Sequence, residues 1–203
     1  PLVPLLALLV ARALTWARAR RVLEGREPVI RPRGRLARAV RHLSAQVVAT
    51  ALAPARALAD RLVFREVRAG LGGRLLFPIV GGGPLPGKVD EFFDAAGLTL
   101  LEGYGMTEAM VVVSVRDPFH RVVRTAGHVI RGMESRIVDE RDRPCRPGEI
   151  GRLKVRGPNI MRGYYRDGER TAEVLSPDGW LDTRDLALVH ADGNLRVLGR
   201  ADD

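Results

Sequence analysis

Leu101-Glu102-Gly103-Tyr104-Gly105-Met106-Thr107-Glu108 is the stretch around which the rest of the chain can be ordered. It follows the apolar run Leu98 to Leu101, which predicts a buried strand. Two glycines flank one tyrosine, so the backbone can turn sharply and a flat ligand can approach the ring. A hydroxyl and a carboxylate follow at once. That combination suits a nucleotide, with ring stacking on Tyr104, a phosphate oxygen near Thr107 and Mg²⁺ held through Glu108. A polar turn after a strand, with Tyr104 as a surface anchor, is the plainer alternative.

Upstream, Leu75 to Val80 reads as a second buried strand that opens onto Gly81-Gly82-Gly83-Pro84-Leu85-Pro86, and an amphipathic helix from Lys88 to Ala96 ends at Gly97. Strand, glycine loop, helix and strand in that order predict a parallel α/β unit with ligands at the carboxyl ends of its strands. The glycine loop lacks Walker spacing and a following Lys-Ser/Thr pair, so a phosphate cradle of that type is disfavoured. Val111 to Val115 predicts another strand. From Glu134 the texture changes to short alternating strands, Glu134 to Val138, Ile150 to Val155, Leu186 to His190 and Leu195 to Leu198, with Asp192-Gly193 as a hairpin signal. A small β-rich subdomain after the α/β part is expected.

The first seventy residues look different. Leu2 to Val22, Leu36 to Ala53 and Ala55 to Ala69 carry helical patterns, with a Pro- and Gly-bearing loop from Gly25 to Gly34 and an interruption at Pro54. They hold fourteen Arg against four acids, whereas residues 71–203 hold nineteen basic and twenty acidic side chains, so the formal charge of +9 resides in the first third. Such a charge would suit nucleic acid or an anionic membrane surface. Few aromatic residues accompany it and no nucleic-acid module is evident, so solvated helical faces are the preferred reading and no nucleic-acid partner is expected. Arg18, Arg20 and Arg21 sit where cations meet a helix C-terminus favourably. The apolar opening Pro1 to Leu14 contains Arg12 and is shorter than the roughly 20 residues needed to span a bilayer. A buried or interfacial helix is expected there, with no transmembrane segment.

Other chemistries fit poorly. The single Cys145 excludes an internal disulfide framework and a cysteine-based zinc site, and the four histidines are scattered. None of Ser44, Ser114, Ser135 or Ser176 lies in a G-x-S-x-G elbow.

Taken in order, Gly81-Gly82-Gly83-Pro84-Leu85-Pro86, Leu101 to Glu108, Gly148-Glu149, Gly163-Tyr164-Tyr165, Gly179-Trp180-Leu181-Asp182-Thr183-Arg184-Asp185 and Gly199-Arg200 resemble the motif series of the adenylate-forming (AMP-binding) superfamily, and most nearly its long-chain acyl-CoA synthetases. The resemblance spans roughly residues 55 to 203. It implies a partial α/β adenylate-forming domain: a basic helical segment over 1–70, an AMP-binding α/β part over 71–130, a β-rich subdomain over 131–198 and a hinge at 199–203. It implies ATP, Mg²⁺ and coenzyme A as cofactor and co-substrates, and a fatty acid or other carboxylate as substrate. The location implied is cytoplasmic, with room for peripheral membrane contact.

By the same resemblance the backbone of Gly81, Gly82 and Gly83 borders adenine, and Tyr104 and Gly105 line the nucleotide. Thr107 and Glu108 act in catalysis, with Glu108 on the metal, Asp185 takes the ribose hydroxyls and Arg200 contacts ribose or α-phosphate. Gly127 matches a glycine beside the acyl group, and His128 departs from the pattern there. Both Tyr164 and Tyr165 are expected to serve in packing. Arg184 stands where glycine is usual, and would either crowd the nucleotide or add a phosphate contact. Asp202 falls where lysine is common and Asp203 at the hinge acid. The phosphate loop and the C-terminal domain with its lysine are expected outside this sequence, so that the 203 residues alone should be inactive. A catalytically incomplete AMP-binding homologue acting as a binding or membrane-surface protein is the alternative.

Overall fold

The computed structural model describes residues 2–30 and 34–201, without the side chain of Leu2. Asp202 and Asp203, with their hinge assignments, lie outside the described residues, as does the loop residue Pro32. The chain forms two compact units.

The first unit comprises residues 1–27, 33–79 and 86–100. Its helices are α1 (Leu2–Leu23), α2 (Arg35–Ala59), which passes through a π-helical turn (Asp60–Phe64) into α3 (Arg65–Gly70), and α4 (Gly87–Ala95). Small residues let these helices approach closely. Leu9, Ala13 and Ala17 of α1 are buried with Ala59, Phe64, Ala95 and Ala96, and Phe64 meets Phe92 edge-on at 5.7 Å between ring centroids. A second cluster joins Ala19 to Ala45 and Ala49.

Two expectations for this unit fail. Pro54 does not interrupt its helix; α2 runs through it, and the irregularity comes later, at the π turn. Proline removes one donor from the ladder but keeps a helical φ, and in this alanine-rich stretch the helix absorbs the loss. Nor is the whole end of α1 a solvated face: Arg18 and Arg20 are exposed, but Arg21 is not. Every fourth residue of α1 from Leu9 is buried, and the fourth in that stripe is Arg21, only 1% exposed. Its guanidinium pairs with Asp94 at 2.8 Å, with Glu27 at 3.5 Å and with Glu91 at 3.7 Å, while Arg18 reaches Glu91 at 2.7 Å. A buried cation is tolerated only when paired, and here α4 and the loop after α1 supply the acids. Among the described residues no helix is long and apolar enough to cross a membrane.

The second unit holds residues 28–32, 80–85 and 101–203. One sheet has the order β1 (Ile79–Val80), β2 (Leu101–Tyr104), β3 (Ser114–Val115) and β4 (His128–Val129); the β2–β3 and β3–β4 pairings are antiparallel. The other is an antiparallel meander of β5 (Glu134–Val138), β6 (Gly151–Arg156), β7 (Leu181–Val189) and β8 (Leu195–Arg200), with α5 (Gly168–Val174) in the β6–β7 connection. Alternate residues of β6 and β7 are buried, and Leu153, Val155, Leu181, Ala187 and Leu195 form one core with Ala109 and Val113. The architecture is mixed α/β, with the helical and meander parts that the sequence implies. The compact units nevertheless cut across the expected 71–130 segment, because α4 belongs with the helices and β2 to β4 with the meander.

The predicted strand Leu75 to Val80 shrinks to Ile79–Val80, with Leu75, Leu76, Phe77 and Ile79 exposed. Pro78 lies in the run and has no N–H to offer a ladder. The predicted strand Val111 to Val115 shrinks to Ser114–Val115, since Met110 and Val111 adopt left-handed φ values of 47° and 81°. The backbone there folds back, donating from Val111 to the Met106 carbonyl at 3.0 Å and from Val113 to the Tyr104 carbonyl at 2.9 Å. Gly105 is required by that fold, for a Cβ on it would lie 1.4 Å from the Val111 carbonyl oxygen. Its lack of a side chain serves the chain's own close approach.

Candidate functional site

The site lies in the second unit, where β2 and the turn after it meet β7 and β8. Asp185 and Arg200 are directly paired residues of the antiparallel β7–β8 ladder. Residues so placed share a face, and Arg200 Nη1 lies 3.2 Å from Asp185 Oδ1 while donating to the Thr183 carbonyl at 3.0 Å. The other carboxylate oxygen, Oδ2, accepts the Tyr104 hydroxyl at 2.5 Å. Asp185 is thus oriented from both sides, and at 7% exposure it is largely shielded from water. Burial, reinforced by the hydrogen bond to Asp185, raises the pKa of Tyr104 far above that of a free phenol, so the hydroxyl remains a donor. Each carboxylate oxygen has two acceptor directions, which leaves capacity for further donors such as sugar hydroxyls.

Glu108 lies in the one-turn helix Thr107–Ala109, and its Oε1 accepts the Tyr164 hydroxyl at 2.9 Å. The turn is pinned from behind: Asn159 Nδ2 donates to the Ala109 carbonyl at 2.9 Å, and the Met161 N–H to the Glu108 carbonyl at 2.7 Å. Left-handed, β-branched Val111 next to this turn is the kind of backbone strain that clusters at functional sites. Thr107 is exposed, and its hydroxyl makes no hydrogen bond among the described residues.

Glu108 and Arg200 line one cavity of about 120 Å³ together with Met106, Tyr164, Arg170, Asp182, Thr183 and Arg184. Enclosing a whole small molecule takes about 300–1,000 Å³, so this space fits one polar end of a ligand. Three guanidinium groups on its wall suit phosphate oxygens. The second oxygen of Glu108 has no partner among the described residues, and a carboxylate of that kind beside phosphate is what Mg²⁺ coordination needs. No group of three or more metal-ligating side chains occurs among the described residues, so an ion would depend on the ligand's own oxygens.

Of the residues expected at a nucleotide, Tyr104, Asp185 and Arg200 are therefore in mutual contact, and Glu108 and Arg200 share a cavity. Gly81, Gly82 and Gly83 form an exposed loop after β1, with Gly82 at a φ of 84° and Gly81 close behind the Gly103 carbonyl. Gly105 lies in the turn after β2, against the Val111 carbonyl. Gly127 packs against β3, where a Cβ would lie 2.1 Å from the Val115 carbonyl oxygen, and His128 is exposed with Nε2 3.0 Å from the Asp192 carbonyl.

The tyrosines of Gly163-Tyr164-Tyr165 divide. Tyr165 is 85% exposed and is no packing residue, whereas Tyr164 holds Glu108 and carries the Arg170 guanidinium 4.6 Å from its ring centroid. Tyr164, Asn159 and Arg170 were not legible as site residues, because each acts through a contact more than five positions away. Arg116 was also missed: buried, it joins Glu102 of β2 at 2.5 Å to the carbonyl of Thr125, a lone Arg in a loop giving no signal of such a role.

The second unit of this α/β protein thus brings a strand-borne tyrosine, a carboxylate-bearing turn and a cross-strand Asp-Arg pair to a cavity lined by three arginines. The chain belongs to the AMP-binding enzyme family, whose pattern it matches over residues 11–165. It is 40% identical over 161 residues to the chloroplastic long-chain-fatty-acid–[acyl-carrier-protein] ligase AEE15 of Arabidopsis thaliana, covering 77% of this chain and 22% of that protein. To the long-chain-fatty-acid–CoA ligase FadD15 of Mycobacterium bovis it is 38% identical over 144 residues, covering 71% and 22% respectively. Among solved structures it resembles ATP-bound MatB from Rhodopseudomonas palustris, with a TM-score of 0.57, 33% identity and coverage of 62% of this chain and 25% of that one. An anthranilate CoA ligase in complex with anthranoyl-AMP matches with a TM-score of 0.59 and 26% identity, covering 63% and 25%. The chain thus spans about 22% of the length of these curated relatives.

Proposed function

We propose that the protein carrying this chain activates a long-chain fatty carboxylate with ATP, forming an acyl-adenylate and pyrophosphate, and passes the acyl group to the thiol of coenzyme A. The observation that carries the reading is the Tyr104–Asp185–Arg200 contact beside the Glu108-lined cavity, in a chain of the AMP-binding enzyme family. The Asp185 carboxylate, fixed by Tyr104 and Arg200, accepts ribose hydroxyls, and the exposed loop Gly81 to Gly83 lets its backbone lie against adenine. Arg200 and its neighbouring guanidinium groups face the phosphates, where negative charge grows as the carboxylate attacks the α-phosphorus and pyrophosphate leaves. Fixed cations of this kind do most of the work in phosphoryl chemistry. The free Glu108 oxygen would hold Mg²⁺, which offsets phosphate charge, and Tyr164 keeps that carboxylate pointed at the cavity. The hydroxyl of Thr107 is available to a phosphate oxygen.

The long-chain preference draws support from relatives named as long-chain-fatty-acid ligases, two of which differ in their acyl acceptor, coenzyme A or acyl-carrier protein. The test is to incubate the full protein with ATP, Mg²⁺ and fatty acids from acetate to palmitate, with either acceptor. AMP release that is fastest with long chains and produces the CoA thioester is expected. Transfer to acyl-carrier protein alone would correct the acceptor, and no fatty-acid-dependent AMP release with any acid would overturn the reading.

A further inference from the structure

Arg184 occupies an expensive backbone position. Its φ is 59°, in the left-handed region where a side chain costs energy that glycine does not incur. Its N–H is tied to Asp182 Oδ1 at 3.0 Å and its carbonyl accepts the Ala201 N–H at 2.8 Å, so the β7–β8 frame holds the residue there. The side chain lines the Glu108 cavity with Arg170 and Arg200, and its Nη2 reaches Glu173 of α5 at 3.1 Å. Both members of that pair are about half exposed. An exposed ion pair is weak and screened, which makes Glu173 a displaceable partner. The other two cations of the wall are engaged differently. Arg200 is held through Nη1 by the shielded Asp185 and the Thr183 carbonyl, which keeps it at the ribose and α-phosphate end, and Arg170 lies over the Tyr164 ring.

We propose that Arg184 is an added polyphosphate ligand, parked on Glu173 in the free protein and exchanging that carboxylate for a phosphate oxygen of the bound nucleotide. The proposal rests on the nucleotide reading of the site and goes beyond it in assigning Arg184 the β- or γ-phosphate end. A strained backbone is retained where the side chain it carries does something, and a phosphate with several oxygens outcompetes one solvent-exposed carboxylate for a forked guanidinium.

The experiment is calorimetric titration of the full protein with ATP, AMP and inorganic pyrophosphate, in the wild type and in Arg184→Gly and Glu173→Gln. Arg184→Gly is expected to weaken ATP and pyrophosphate binding about tenfold, the size of a lost charge-assisted hydrogen bond, with AMP within about twofold. Its melting temperature should hold or rise, because glycine relieves the left-handed strain. Glu173→Gln should tighten ATP about two- to fivefold by removing the competitor. ATP binding unchanged in Arg184→Gly, or weakened equally with AMP, would overturn the assignment while leaving the nucleotide site standing. A wild type that binds none of the three ligands would remove both.

Discussion

The Tyr104 hydroxyl and the Arg200 guanidinium each satisfy one oxygen of a carboxylate that is nearly out of water. In Tyr104→Phe the Oδ2 atom of Asp185 loses its donor, and the unfolding free energy measured in urea should fall by about 1–2 kcal/mol. A variant as stable as the wild type would mean that the hydroxyl and Asp185 are not bonded. Glu108 sets a contrasting case. It is half-buried, with one oxygen on Tyr164, and it lines the cavity, so Glu108→Ala should depress Mg²⁺-dependent turnover while shifting the melting temperature little. A large loss of stability with turnover per folded molecule unchanged would make Glu108 a structural residue. The sequence allowed Tyr104, Glu108, Asp185 and Arg200 to be picked out because their residue types and motif order are distinctive. Tyr164 and Arg170 escaped, since a tyrosine that orients a carboxylate looks, in one dimension, like a tyrosine that packs.

At the scale of elements, the turn after β2 is the part whose form depends most on one residue. Any side chain at position 105 collides with the Val111 carbonyl, so Gly105→Ala should cost more than about 3 kcal/mol in unfolding free energy and collapse the Glu108 turn; a near-neutral effect would show that the turn is built otherwise. Just after β7, His190 is buried and neither ring nitrogen has a partner among the described residues. Burial lowers its pKa below the ordinary 6.5, ahead of the opposing pull of Asp192. The unfolded chain therefore binds the proton more readily. Stability should be flat above about pH 6.5 and fall as pH drops below it, ahead of the acid range in which Asp139 and Asp142, whose pKa values are lowered by Arg143 and Lys154, lose their contribution. Urea melts of the wild type and His190→Leu between pH 7.5 and 5 provide the check, with the slope expected in the wild type alone. The meander β5 to β8 was legible because alternation and Asp192-Gly193 are local signals. The failures at Leu75 and Val111 share one cause: apolar, β-branched composition suggests a strand, while Pro78 and the left-handed turn at Met110 and Val111 forbid the ladder.

At the scale of the whole molecule, charge and apolar surface both acquire meanings that composition did not convey. Part of the basic excess of the first seventy residues is neutralised within the fold, in the Arg18, Arg21 and Arg26 pairs with the buried side chains of Glu91 and Asp94. Arg21→Ala should destabilise by about 3 kcal/mol through the acids it strands. On α2, Leu36, Val40, Leu43 and Val47 form an exposed stripe at helical spacing. Light scattering of the 203-residue chain should accordingly show concentration-dependent association that Leu43→Glu reduces. The central claim, that β2, its turn and the β7–β8 pair form an ATP site for acyl activation, is tested most directly by fatty-acid-dependent exchange of labelled pyrophosphate into ATP in the full protein, wild type against Asp185→Ala. The account predicts exchange that requires a fatty acid and falls about 10²-fold or more in the variant, as happens when a fixed electrostatic contact is lost, with circular dichroism unchanged. Exchange of wild-type size in a folded Asp185→Ala protein would contradict it.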